Sequence, residues 1–334
     1  MDTKLPLLFL FSFMIFTNVS AQYTEMINTN HPGGSQGAFS VGTNVLQVEA
    51  GFSYGKEKHN LLLTETDGMS IDYMIRYGFW KERLEFSFMG EFQSDQVTDN
   101  RSTTAREYSV SNFKSNTLGV KYLVYDPYRK RDLQGPNLYS WKANNKTQWA
   151  DLIPAISLYV GANFDYIDDT KINPFVPKSE SIVSPKFVLS TQNNFIGGWV
   201  FVTNIIVDRV TSDFPTYGYI ITLTHATNRW FSLFAENQGF MSDFYADQLL
   251  RGGAATLINK DFQVDLSLTY SLKDTPSKFY GRVGVAYRLD MHKKDEFLED
   301  KAIKEDKKKE KDAEKEKDKK QERQDGLNLD EDGE

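Results

Sequence analysis

The stretch that decides the fold runs from Trp199 to Glu236 and reads WVFVTNIIVDRVTSDFPTYGYIITLTHATNRWFSLFAE. It holds two apolar-rich runs separated by a short break at 212–215, then a polar turn and the start of a third run. In the second run large apolar side chains take alternate positions, at Tyr217, Tyr219, Ile221 and Leu223. A run of about ten residues with period two is long enough for a tilted transmembrane strand and too short for a transmembrane helix.

The same alternation recurs along the chain and marks about twelve strands. Their predicted bounds are 45–54, 69–78, 84–93, 115–125, 153–164, 182–192, 199–209, 217–226, 230–238, 248–257, 261–271 and 279–289. A membrane barrel needs one apolar face per strand and closes its own edges. The sequence therefore predicts an all-β fold, a single-chain antiparallel transmembrane barrel over 45–290 in the outer membrane of a Gram-negative bacterium.

Segments outside the barrel have their own signatures. Residues 1–21 have a basic start, a short apolar run and a small-residue cleavage site, which predicts a signal peptide. Residues 22–44 are expected to form an N-terminal periplasmic extension. In 291–334, 30 of 44 residues are charged. Because so few apolar residues remain, this tail is predicted to be helical or disordered and to lie in the periplasm.

Composition excludes several function classes. The formal net charge of −7 argues against a nucleic-acid partner, and the lack of cysteine excludes disulfides and thiolate metal sites. The four histidines, His31, His59, His225 and His292, show no metal-ligand spacing. His225 and Ser232 lie near each other in sequence, but no Gly-x-Ser-x-Gly motif supports a hydrolase. We therefore predict no enzyme activity and no cofactor.

The connections predict an orientation. Four of the five even-numbered connections are short, and 126–152 is the exception. Outer-membrane barrels place short turns in the periplasm, so both termini are expected there. Trp80, Trp199 and Trp230 all fall at the predicted periplasmic strand ends. Amphipathic rings prefer the headgroup level of a bilayer, so these residues are predicted to form an aromatic girdle.

Function is expected on the inward faces of the strands. Eleven charged residues are predicted to line the lumen: Glu49, Asp72, Arg76, Glu85, Glu91, Lys121, Lys186, Asp208, Glu236, Asp265 and Arg282. They either pair with one another and close the interior or form the polar lining of a solute path. Val200, Val202 and Ile206 share the inward face of one strand with polar residues. That apolar wall indicates either hydrophobic cargo or a segment packed against it from inside.

Two motifs carry a family resemblance. The opening has His31-Pro32-Gly33, then Val41-Gly42, then VLQVEAGF at 45–52 followed by Tyr54, and the close is Gly284-Val285-Ala286-Tyr287-Arg288. Together they resemble a family of outer-membrane transporter-like barrels named for the meta-pathway of phenol degradation. An Arg commonly precedes the Pro in that opening, and here the residue is His31. The resemblance spans about 28–290 and implies a barrel that moves small, hydrophobic compounds.

Two functions follow from these features. The first is an outer-membrane channel or porin-like transporter for small, hydrophobic solutes. The alternative is a non-conducting accessory barrel in a larger outer-membrane assembly, which docks envelope proteins through 126–152 and the charged tail. In both, the outward faces contact outer-membrane lipid.

Overall fold

A computed structural model of the chain describes residues 27–129, 138–140, 149–164 and 183–292. These ranges contain a short 3-10 turn at Trp149–Leu152 and twelve strands: β1 (Val45–His59), β2 (Thr64–Gly78), β3 (Leu84–Asp99), β4 (Arg106–Tyr125), β5 (Ala155–Phe164), β6 (Val183–Phe195), β7 (Trp199–Asp208), β8 (Thr216–Ala226), β9 (Phe231–Met241), β10 (Ala246–Asn259), β11 (Phe262–Ser271) and β12 (Ser277–Asp290). Each strand pairs antiparallel with its neighbours, and β1 pairs with β12 to close the barrel. The predicted fold class is confirmed.

The alternation of the opening stretch shows why these residues form a barrel wall. In β8 the apolar side chains of Tyr217, Tyr219 and Leu223 are exposed on the outer surface. Ile220, one position out of phase, is only 4% exposed. Since successive side chains on a strand point to opposite faces, one sequence produces an apolar exterior and a separate interior face.

The first four strands extend further than predicted. β1 continues to His59 and β2 begins at Thr64, so 60–63 is a four-residue turn where a long connection was expected. The added pairing is polar, with Lys56 Nζ 3.4 Å from Asp67 and Lys58 Nζ 3.1 Å from Glu65. Such strands lack an apolar face, so a search for alternating hydrophobic residues stops before they end. β3 and β4 are also longer than predicted, β3 ending at Asp99 and β4 beginning at Arg106.

The barrel has two distinct rims. The terminal rim is the one where β1 begins and β12 ends, and it carries the connections that follow the even-numbered strands. The opposite rim carries the connections that follow the odd-numbered strands. No helix in the described ranges is long and apolar enough to span a membrane.

The N-terminal residues are the main departure from the prediction. Residues 22–44 were expected to form an extension outside the barrel, but Ile27–Asn44, here called the lumen segment, lies inside it. Its backbone contacts inward-facing side chains of β1, β3, β6, β7 and β9. A segment can touch strands all round a closed barrel only from within. Sequence patterns describe neighbours along the chain and do not report such contacts.

Candidate functional site

Inward-facing side chains hold the lumen segment through its backbone N–H groups. Glu49 accepts from the amide nitrogens of Asn30 and His31, both at 3.2 Å. Glu236 accepts from Gly34 at 3.0 Å and from Ser35 at 3.3 Å. The remaining contacts are Gln36 N to Asn204 Oδ1 at 2.6 Å, Ala38 N to Gln192 Oε1 at 3.0 Å and Val41 N to Glu85 Oε2 at 2.9 Å. The barrel wall thus supplies the acceptors that strand pairing supplies elsewhere.

The carbonyl groups of the segment are held by inward-facing donors. Lys121 Nζ donates to the carbonyl oxygens of Gly37 at 3.2 Å and Phe39 at 2.9 Å. Arg76 Nη1 donates to the carbonyl oxygen of Asn28 at 2.8 Å. Close approach also matters, because a Cβ on Gly78 would lie 1.6 Å from the carbonyl oxygen of Gly42. Glycine at 78 therefore lets the segment pass beside β2.

The eleven predicted lumen residues all occupy inward positions, but only some of them contact the lumen segment. Glu49, Arg76, Glu85, Lys121 and Glu236 are buried and bind the lumen segment. Their charges also pair: Arg76 lies 3.1 Å from Glu49 and 2.9 Å from Glu85, and Glu85 lies 3.2 Å from Lys121. This part of the interior is therefore a paired network around the segment.

The other six predicted residues form three separate groups. Arg282 pairs with Asp72 at 2.8 Å and with Asp265 at 2.6 Å. Lys186 lies 3.8 Å from Asp208. Glu91 pairs with Lys114 at 3.1 Å, and Lys114 was absent from the predicted set. The structure therefore brings Asp72, Asp265 and Arg282 together and leaves the Lys186 and Glu91 pairs apart from them.

His31 joins the lumen segment to the Arg282 group. Its Nδ1 lies 2.7 Å from Nη2 of Arg282, and because guanidinium only donates, Nδ1 accepts. Its Nε2 lies 3.6 Å from carboxylate oxygens of both Glu49 and Asp72. Burial, the largest influence, lowers the pKa of His31 below its ordinary value; Arg282 lowers it further, and Glu49, Asp72 and Asp265 oppose the change. The docked segment is therefore held by neutral His31.

This arrangement predicts acid-sensitive docking. A His whose pKa is lower when docked favours the docked form above its ordinary pKa of 6.5 and loses that contribution as pH falls through the lowered value. Ionic current through the reconstituted barrel is expected to rise as the pH is lowered from about 7.5 to about 5.5. The variant His31→Gln keeps a hydrogen-bond acceptor for Arg282 but has no ring that titrates. Its current should therefore rise less on acidification than that of the unmodified protein. His59→Gln, at the opposite rim, should respond as the unmodified protein does. An unchanged pH response in His31→Gln would contradict this role.

The lumen segment lies between two cavities. One, of about 390 Å³, opens near the terminal rim and is bounded by Phe39, Ser40 and Tyr128 among others. The second, of about 250 Å³, lies toward the opposite rim and has Gly34 and Gln36 in its lining. We call it the upper cavity. The two linings share no residue. Residues of the lumen segment therefore line both cavities.

The upper cavity has an apolar wall. Tyr159, Val188, Ile206 and Ile220 form a buried cluster, with Met89 and Phe240 packed against it. All of these except Tyr159 line the cavity. Of the predicted apolar wall, Ile206 lines this cavity; the lumen segment lies inside the barrel, and the prediction of hydrophobic cargo stays a prediction.

The three predicted girdle residues lie at the terminal rim. Trp80 is in the β2–β3 connection, Trp199 begins β7 and Trp230 precedes β9. Each has a polar or cationic neighbour: Lys81 at 4.8 Å from the ring of Trp80, Arg229 at 5.0 Å from that of Trp230, and His225 stacked at 4.2 Å on Trp199. His225 thus packs on the exposed ring of Trp199.

Sequence reasoning missed several residues of this site. Asn204 and Gln192 bind the lumen segment, and Arg251 lies 3.6 Å from Glu236. The only sequence signal was the apolar inward face of β7, which indicated that something could pack there. The predicted docking parts fall largely outside the described residues, which omit 130–137, 141–148 and 293–334. The docking prediction therefore stays a prediction.

Comparison with known proteins identifies relatives at the level of family and fold. The profile of the family described as "Putative MetA-pathway of phenol degradation" matches residues 29–289. No curated protein matches the chain. The COG4313 outer membrane channel from Pseudomonas putida F1 is similar in structure, with TM-score 0.50 and 10% identity over 79% of this chain and 100% of that one.

Two other solved structures are more distant. The translocator domain of the autotransporter NalP from Neisseria meningitidis has TM-score 0.43 and 10% identity, over 78% of this chain and 90% of that one. The toluene transporter TodX from Pseudomonas putida has TM-score 0.41 and 9% identity, over 75% and 91%. At these identities the structural likeness shows the fold alone.

Proposed function

We propose, from the premise that this chain belongs to the family described as "Putative MetA-pathway of phenol degradation", that it is an outer-membrane channel for small, largely apolar solutes. The observation that carries the proposal is the apolar cluster of Val188, Ile206 and Ile220 facing the inside of a closed barrel. The apolar part of a solute gains from contact with the apolar lining of the upper cavity.

The outer surface supports membrane placement. Large apolar side chains are exposed along the strands, among them Phe52, Ile205, Leu266 and Tyr287. An apolar belt of this size would be unfavourable in water and favourable in a bilayer. The aromatic residues at the terminal rim would then lie at one headgroup layer. We infer that this layer is the periplasmic one and that β1 begins and β12 ends there.

An arginine on this belt should destabilise the barrel. Leu266, near the middle of β11, is 56% exposed on the outer face. Leu266→Arg is expected to cost about 2–4 kcal/mol of unfolding free energy in lipid vesicles, because the charge enters the apolar layer. The free energy of unfolding is measured by following the folded fraction as urea is added. Ser102→Arg, in the exposed β3–β4 connection, serves as control. Equal stability of the two variants would exclude the membrane placement of this face.

In this proposal the chain performs no chemical step. The inward charges hold the lumen segment or pair with one another. Passage is passive and needs the segment to move, because it lies between the two cavities.

Purified full-length barrel in liposomes or planar bilayers tests the proposal. Small-solute flux should be low with the lumen segment docked and should rise when docking is weakened. A barrel that carries no solute, even after the segment is removed, would overturn the proposal. Recovery of the protein in the soluble fraction after cell breakage would do the same.

A further inference from the structure

The upper cavity has a second side, chemically unlike its apolar wall. Lys186 and Arg251 both line it, together with a single carboxylate, that of Asp208. The lining therefore carries two cationic groups and one anionic group beside an apolar surface. Such a mixture suits a ligand with an apolar body and a negative end.

The two cations are incompletely engaged within the described part of the chain. Lys186 Nζ lies 3.8 Å from Asp208 Oδ2, beyond hydrogen-bonding distance, and Asp208 Oδ1 accepts instead from Asn163 at 2.5 Å. The ammonium group has three donors to satisfy.

Arg251 is in a similar position. Its Nε donates to Thr269 at 3.0 Å, but its Nη1 is 3.6 Å from Glu236. Glu236 already accepts from the lumen segment and from Thr222 at 2.6 Å. Arg251 therefore keeps guanidinium donors for an additional acceptor at the cavity.

The volume of the upper cavity limits how large the apolar part of the ligand can be. An apolar cavity of about 150 Å³ holds a benzene molecule. The upper cavity, at about 250 Å³, has room for a single ring and a small polar substituent. A neutral hydrocarbon would leave the two cationic groups unmatched, and a small inorganic anion would leave the apolar wall uncovered.

We propose that the upper cavity binds a small organic acid, a carboxylate on an apolar body the size of one ring. The carboxylate lies between Lys186 and Arg251, and the body packs on Val188, Ile206 and Ile220. This assignment rests on the proposed channel function and defines the solute class that the channel selects.

The experiment measures binding to the full-length barrel in detergent by calorimetry. Benzoate is the probe, toluene its neutral counterpart and acetate the anion without a ring. Benzoate should bind most tightly of the three. Lys186→Met and Arg251→Met should each weaken benzoate binding about tenfold or more, since a charge-assisted contact is lost, and leave toluene binding unchanged. Lys56→Met, a surface control that is 76% exposed at its side chain, should alter neither.

Heat-dependent gel mobility confirms that each variant is folded. Equal benzoate affinity in Lys186→Met, Arg251→Met and the unmodified barrel would overturn the assignment, as would toluene binding as tightly as benzoate. In both cases flux of neutral solutes would still support the channel. Conversely, benzoate binding that depends on Lys186 in a barrel without any solute flux would support the site and overturn the channel.

Discussion

Removing residues 29–40 is expected to raise the flux of small solutes through the reconstituted barrel by at least about a hundredfold. The deleted residues supply backbone N–H groups that donate to Glu49 and Glu236 and to the side-chain amides of Gln192 and Asn204. They also lie between the two cavities. Their loss removes the part of the chain that lies between the two cavities. The barrel itself should persist, because β1 still pairs with β12 and β2.

The expected size of the flux increase follows from the hydrogen bonds between the lumen segment and charged side chains. Glu49, Glu236 and Glu85 each accept at least one backbone N–H of the segment. A hydrogen bond to a charged group contributes about 1.5–3 kcal/mol, so three sites together favour docking by more than about 4 kcal/mol. That corresponds to a roughly thousandfold preference for the docked segment. The intact barrel should therefore open rarely.

A graded series makes the test specific. Glu236→Gln removes one charged acceptor and is expected to raise flux by about tenfold. Glu65→Gln is the matched control, because Glu65 belongs to a surface pair with Lys58 at the opposite rim. Liposome swelling and single-channel current provide independent readings. If the deletion leaves both unchanged while the protein stays folded, the lumen segment is not the barrier to passage.

Replacing Arg76 with alanine is expected to lower the free energy of unfolding by about 3–5 kcal/mol. The guanidinium is buried between Glu49 and Glu85, with Nε and Nη2 donating to the two oxygens of Glu85 at 2.9 and 3.0 Å. Removal of one partner leaves two buried carboxylates without their main counter-charge. Leaving buried carboxylates without a counter-charge lowers the free energy of unfolding far more than the loss of an exposed ion pair does.

Urea unfolding in lipid vesicles, followed by heat-dependent gel mobility, measures this effect. Lys56→Ala removes a cation from an exposed pair with Asp67 and should change stability by less than about 1 kcal/mol. Adding Glu85→Gln to Arg76→Ala should recover part of the loss, because one uncompensated charge is then gone. Equal stability of Arg76→Ala and Lys56→Ala would show that the buried network does not stabilise the barrel.

Strand content could be predicted because it depends on neighbours along the chain. Tyr217, Tyr219 and Leu223 alternate with smaller or more polar residues, and each reaches the outer surface as expected. The three tryptophans fall at one rim because strand order alone places alternate connections on one side. The extended ends of β1 and β2 escaped prediction because their pairing is polar on both faces.

The positions of the site residues could be predicted from the sequence, but their binding partners could not. Alternation placed Glu49, Arg76 and Glu236 on the inward face, but it contained no information about what they bind. The decisive contacts are remote: Gly34 and Glu236 are separated by 202 residues, and Gln36 and Asn204 by 168. No local pattern in 27–44, which has no alternating apolar face, distinguishes a segment inside the barrel from one in the periplasm.

The amino-acid order was thus sufficient for an outward apolar face, an inward polar face and the assignment of each connection to one of the two rims, since each follows from period two and from chain connectivity. The course of the lumen segment, the pairing of Arg76 with Glu49 and Glu85, and the two-sided upper cavity arise only when β12 meets β1. Closure brings side chains from distant strands around one axis, and buried charges there must find partners in space because water is excluded.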